Sequence, residues 1–332
     1  MTPSATLAGL LERFFTQRLL QQRQVSPHTT SSYRDTFRLL LHFAHQQLHT
    51  PPARLAFAEI DAPLIAAFLD DLEHRRGITA RTRNLRLTAI RSFFHYAAYE
   101  EPAQAAQIQR VLAIPGKRYT RALISFLTRP ELDALLAAPD QRTWFGRRDH
   151  AFLLVAVQTG LRLSELTSLQ RVDVAFGAGA HVRCLGKGRK ERCPPLTKTT
   201  VAVLKAWLRE PARRNAAVLF PSATGGRLSP DSVADLLAKH VARASHTCLS
   251  LRSKRVTPHV LRHTTAMELL QAGVDRAVIA LWLGHESVET TQIYLEANLA
   301  LKEKILAKTT PPDGTPGRYR AGDELLAFLN QL

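Results

Sequence analysis

Four residues in one short stretch, TPHVLRHTTAMELLQAGVDRAVIALWLGHESVETTQIY at 257–294, carry side chains suited to phosphate chemistry. Arg262 offers fixed donors to phosphate oxygens, and His259 and His285 can carry a proton or a hydrogen bond. Tyr294 has a phenol that becomes a nucleophile once its proton is taken. His259 and Arg262 are three apart, which places them on one face of a helix. Pro258 suits a first helical position and Thr257 the cap before it, so a helix is predicted to open there. VDRAVIALWL has apolar residues at helical spacing and runs into Gly284, the residue type that most readily turns a chain past a helix end. His285 follows at once, and a further short helix from Thr290 is predicted to carry Tyr294. Two blander readings compete. A lone tyrosine is by default a half-buried core residue, and His259 with His263 has the i, i+4 spacing of a metal pair. The metal reading lacks the acid of H-E-x-x-H, since Val260 stands there, and it lacks a third ligand. His263 is read as a packing or hydrogen-bonding residue.

Two upstream segments add to this set. In TGLRLSEL (159–166) Gly160 joins two helices and puts Arg162 at the start of the second. Glu165, three residues on, can brace that guanidinium in a cleft or pair with it on the surface. HVRCLGKGRKERCPPL (181–196) alternates around a Gly-Lys-Gly turn and reads as a β-hairpin with Lys187 at its tip. Cys184 and Cys193 flank that turn, but no second Cys/His pair at ligand spacing accompanies them. They are read as paired strand residues.

In chain order, T-G-L-R-x-x-E-L, G-K-G-x-K-x-R, H-x-x-R, L-G-H and a tyrosine nine residues after that last histidine resemble the motifs of the tyrosine recombinase (phage-integrase-like) family, which includes XerC/XerD-like site-specific recombinases. The resemblance implies a DNA-cutting and rejoining enzyme that works through a 3′-phosphotyrosine. It implies Tyr294 as nucleophile, Arg162 and Arg262 on the non-bridging oxygens, and His259 as proton acceptor. Lys187 would be the acid on the leaving 5′ hydroxyl, with Lys190 as the second candidate, and His285 would bind the phosphate or orient the tyrosine. The phosphotyrosine conserves the bond energy, so no cofactor, metal or ATP is expected, in keeping with the lack of a P-loop or carboxylate cluster in the sequence. The implied partners are double-stranded DNA recombination sites and further copies of the chain, assembled as a tetramer on synapsed DNA, with or without partner recombinases. A type IB topoisomerase using the same chemistry and a DNA-binding accessory protein that does not cut remain as alternatives. The role could be integration, transposition or dimer resolution.

The chain has 332 residues, 45% of them apolar, enough for two domains with their own cores. Its 45 Lys+Arg against 28 Asp+Glu give a net charge of +17 and favour a polyanionic partner. No run of about 18 uncharged apolar residues occurs, and the N-terminus meets a charge too early for a signal peptide, so a cytoplasmic protein with reduced cysteines is expected. The expected fold is mainly α: an N-terminal helical core-binding (SAM-like) domain and an α-rich catalytic domain with a small antiparallel β-sheet. The expected bounds are 1–101 for the first domain, 102–128 for a basic linker, 129–308 for the catalytic domain, and 309–332 for a tether and terminal helix that is expected to dock in trans, with folding back in cis as the alternative. Four amphipathic helices are read in the first domain, the fourth with Leu85, Ile90 and Phe93 toward the core. That helix carries Arg81, Arg83, Arg86 and Arg91 without an intervening acid, as either a solvated face or a face laid along DNA phosphates. SPHTTSSYRD and TARTRNLRLTAIRSFF also resemble the family's core-binding domain, which implies the second. Lys117, Arg118 and Arg121 in the linker, and Lys190 in the hairpin, are the other expected DNA contacts.

Overall fold

The structure is a computed structural model that describes residues 6–120, 124–186, 191–211 and 216–284. The chain divides into two compact units, Met1–Arg121 and Ala122–Leu332. Lys187, Lys190, Arg121, His285, Tyr294, the helix read from Thr290 and the terminal segment 309–332 lie outside the described residues.

The first unit begins with α1 (Leu7–Arg13), capped by the Thr6 hydroxyl. It passes directly into a π-helical stretch, Phe14–Gln22. The sequence reads as one α-helix there. The wider turn brings Phe14 and Leu19, five apart and both fully buried, onto the same face. Then follow α2 (Pro27–Leu48), α3 (Ala62–Arg76) and α4 (Ala80–Glu100), each opened by a Ser, Asp or Thr cap. A cluster of phenylalanines, among them Phe14, Phe37, Phe93 and Phe94, fills the space between them. On α4 it is Leu87, not Leu85, that joins Ile90 and Phe93 inside, and Leu85 is 60% exposed. Leu87→Ala should therefore cost about 3 kcal/mol in chemical denaturation and Leu85→Ala less than about 0.5 kcal/mol.

The expected linker starts too early. Residues 105–112 form a fifth helix, α5 (Ala105–Leu112), whose Ile108 and Val111 are buried in the first unit's core. The segment after it is clasped to α4. Arg91 donates to the Ile114 carbonyl, Arg83 Nη1 to Pro115 O at 3.4 Å, and Asn84 exchanges two hydrogen bonds with the Lys117 backbone.

The second unit opens on α6 (Arg129–Ala137), where Thr128 and Glu131 form a capping box. Its centre is α7 (Trp144–Thr159), apolar on most of its surface as a helix enclosed by others must be. Gly160 ends α7 in a left-handed conformation, and α8 (Leu163–Ser168) begins three residues later. The predicted hairpin is present as β3 (Cys184–Leu185) against β4 (Glu191–Arg192), after β1 (Val174–Ala175) against β2 (His181–Val182), both pairs antiparallel. Cys184 pairs with Arg192, so the two cysteines are not opposite each other. Helices α9 (Lys198–Arg209) and α10 (Pro230–Ala244) complete the frame. Among the described residues no helix is long and apolar enough to cross a membrane.

Candidate active site

The first turn of α11 (Pro258–Gln271) forms as read: Thr257 caps it by accepting from the Val260 N–H, and Pro258 sits at its start. His259 is exposed, and Arg262, one turn on, is buried. Thr265 donates to the Val157 carbonyl at 2.6 Å and so fastens α11 to α7. Next comes α12 (Arg276–Leu283), which ends at Gly284 in the left-handed region, φ 65°.

The two arginines meet at this helix end. Arg262 donates through Nη1 to Gly160 O and through Nη2 to Leu283 O, each at 2.7 Å. Arg162 donates through Nη2 to Gly284 O at 2.8 Å and through Nη1 to Glu165 Oε1 at 3.0 Å. Guanidiniums from two distant motifs thus rest on consecutive carbonyls, Leu283 and Gly284, next to His285 in the chain. Carbonyls of a last helical turn lack intrahelical partners and carry partial negative charge, which is why cations settle there. Arg262 is nearly enclosed, whereas Arg162 keeps 29% of its side chain exposed.

Glu165 braces Arg162, as one of the two sequence readings had it, and it also does something the sequence did not suggest. Its buried carboxylate accepts from the Arg162 backbone N–H at 2.6 Å and from Arg192 through both oxygens, at 3.1 and 2.6 Å. Burial pushes this carboxyl up, but Arg192 first and then the Arg162 N–H outweigh it and hold it below the usual range. Arg192 is the last residue of the G-K-G-x-K-x-R run, but the sequence alone gave it no partner and no role. The available signal was its place on the return strand of the hairpin, one residue from Glu191, where alternation turns it inward.

His263 is half-buried, its ring centroid 6.4 Å from that of His259. Burial, then His259 and Arg262, push its pKa down to about 4. It should stay neutral, showing no NMR titration of its ring between about pH 5.5 and 8. Its folded pKa lies below the unfolded value, so its contribution opposes folding progressively as pH falls below about 6.5. Among the described residues no group of three or more His, Cys, Asp or Glu side chains comes together to hold a metal.

The basic residues read as DNA contacts in the first unit separate into two kinds. Arg83 is buried against Glu73 at 3.3 Å, Arg86 donates to Ser32 O and Thr36 Oγ1, and Arg91 is taken by Ile114. Lys117 pairs with Glu73 at 2.5 Å. These four charges satisfy carbonyls and a carboxylate within the unit, a use that spacing along α4 does not reveal. Arg81 and Arg118 are exposed.

Residues 125–300 match the model of the phage integrase family, and residues 11–101 match its N-terminal SAM-like domain. The chain belongs to the phage integrase family. Members of this tyrosine recombinase family break and rejoin DNA, and this one is such an enzyme. A relative from Sinorhizobium fredii named "Putative integrase/recombinase y4rC" is 69% identical over the full length of both chains. The tyrosine recombinase XerC of Chlamydia muridarum is 31% identical, over 90% of this chain and 96% of its own. Among solved structures, XerH site-specific recombinase bound to a palindromic difH substrate matches with a TM-score of 0.67 at 23% identity, covering 86% of this chain and 81% of that one. A lambda integrase tetramer bound to a Holliday junction matches with a TM-score of 0.61 at 18% identity, covering 88% and 78%. These likenesses give the integrase fold: helical, with small antiparallel sheets in the second unit.

Proposed function

We propose that this integrase is a site-specific recombinase that cleaves and rejoins DNA through a 3′-phosphotyrosine, with double-stranded recombination sites as substrate and a tetramer on synapsed sites as the working assembly. The observation that carries the reading is the meeting of Arg162 and Arg262 on the Leu283 and Gly284 carbonyls. It brings two phosphate-binding side chains from separate motifs to the residue preceding His285. Phosphoryl transfer puts extra negative charge on the non-bridging oxygens, and two fixed guanidiniums are suited to receive it. In this scheme the Tyr294 oxygen attacks phosphorus as His259 takes the phenolic proton. The bond to the 5′ oxygen breaks, and Lys187 supplies the proton that makes it a hydroxyl. His285 hydrogen-bonds the phosphate. Attack by another strand's 5′ hydroxyl reverses these steps and releases the enzyme. In the first unit, Arg81 and Arg118, two of its exposed cations, are offered to the backbone.

The test uses nicked duplexes carrying randomised inverted repeats, incubated with the full chain and trapped as covalent adducts. Adducts should form, sequencing should recover a consensus site, and mass spectrometry should place the phosphate linkage on Tyr294. No adduct would favour a non-cutting accessory protein, and an adduct on another tyrosine would displace the nucleophile. Adducts that relax supercoils but never join two sites would favour the topoisomerase reading.

A further inference from the structure

Glu165 lies between two arginines, and one of them has no place in the scheme above. Arg192 grips both carboxylate oxygens, at 3.1 and 2.6 Å, whereas Arg162 reaches one of them, at 3.0 Å. The Arg192 side chain is 11% exposed, too enclosed to serve as an ordinary surface phosphate contact. Its backbone is fixed by pairing with Cys184 across the hairpin. Its guanidinium also lies against Gly284, where a methyl group would collide with Nη1. Arg192 therefore touches the Arg162 motif and the end of α12, and it is itself part of the hairpin.

The charges explain what it does. Arg162 and Glu165 alone would be a neutral pair, and a phosphate drawn to Arg162 would approach a buried carboxylate at the same time. With Arg192 present the group of three is net positive. We infer that Arg192 is a positioning residue for Arg162: it holds and neutralises Glu165, so that the carboxylate orients Arg162 without cancelling its attraction for phosphate. The inference rests on the reading of Arg162 as a phosphate ligand. It does not depend on Tyr294 or on Lys187.

The groups facing Glu165 from its surroundings are few. Arg162 comes from the start of its own helix, and Arg192 from β4. The thiol of Cys184 on β3 is pushed up to about 11 by burial and stays neutral. Asp173, Arg183 and Glu191 line the same cavity of about 300 Å³. Of these, Arg192 and Arg162 are the groups that bond the carboxylate.

Sulfate is a suitable probe, being a tetrahedral dianion whose charge does not change between about pH 5.5 and 7.5. Its binding is read as the rise in melting temperature at constant ionic strength, with Arg162→Ala as the baseline. Arg192→Met, which keeps the side-chain volume, should weaken sulfate about tenfold, and Arg192→Lys, which keeps the charge, less than about threefold. Adding Glu165→Gln to Arg192→Met should restore at least about threefold, because the opposing charge is gone. Without Arg192 the Glu165 carboxyl rises, so Arg192→Met should also regain sulfate affinity as pH falls, by a larger factor than the natural protein gains over the same range. Should Arg192→Met not fold, Arg192→Gln carries the same comparisons. If Arg192→Met binds sulfate as the natural protein does, or if Glu165→Gln restores nothing, Arg192 does not act through Glu165 and the inference falls alone. If the natural protein responds no more than Arg162→Ala, the phosphate reading of Arg162 falls and takes the inference with it.

Discussion

Arg262→Ala is expected to lower the rate of covalent adduct formation about a thousandfold and the stability of the second unit by about 3 kcal/mol. Two separate losses are involved. The stability loss follows from what the buried guanidinium holds: it bonds the Gly160 and Leu283 carbonyls, so its removal leaves two acceptors unpaired at a join between α7, α11 and α12. The loss in rate follows from the transition state, where a fixed donor stabilises charge that is absent in the bound substrate. Arg262→Lys separates them. A single ammonium cannot span two carbonyls and a phosphate, so the lysine variant should regain part of the stability while staying at least about a hundredfold slow. Urea denaturation and single-turnover adduct formation, performed well below the melting temperature of each variant, report the two quantities independently. A variant that lost stability but kept its rate would remove Arg262 from the phosphate site.

Much of this site is legible in the sequence because its pieces are set by local rules. Thr257 and Pro258 start α11, and Gly160 and Gly284 end α7 and α12, each through a cap that depends on a few adjacent residues. Once those ends are placed, the two arginine motifs have defined directions. What was not legible depends on partners far away in the chain. Arg192 reads as one more basic residue of a hairpin until Glu165 is brought opposite it. Arg83, Arg86 and Arg91 of α4 read as part of a phosphate-binding face until Glu73, Ser32 and Ile114 are seen to take them up. Leu85 and Leu87 differ by two positions, and the polar arms that turn inward on α4 blur its apolar stripe. The helix α5 was hidden between Pro102 and Pro115, which look like linker punctuation, although Ile108 and Val111 keep the spacing of a buried face.

A pair of glycine substitutions should show how tightly the site is built around the backbone before Arg162. Gly77 and Gly160 both have φ 61° at the end of a helix, so alanine carries the same left-handed cost at each, about 1 kcal/mol. Their surroundings differ. Nothing lies within 4 Å of a Cβ built on Gly77, whereas one built on Gly160 stands 2.5 Å from Leu283 Cδ2 and 3.3 Å from Thr265. Leu283 is fully buried, and Thr265 is tied to Val157, so neither can withdraw without moving α11 or α12. Gly77→Ala should accordingly lose about 1 kcal/mol, and Gly160→Ala at least about 3 kcal/mol. The displacement at Gly160 acts on the carbonyl that holds Arg262 and, through Leu283, on the second one. Adduct formation should fall about a hundredfold in Gly160→Ala and remain unchanged in Gly77→Ala. Equal losses of stability at the two positions would mean that backbone conformation alone fixes the glycine, and that the close approach of α12 to the Arg162 motif is not what constrains it.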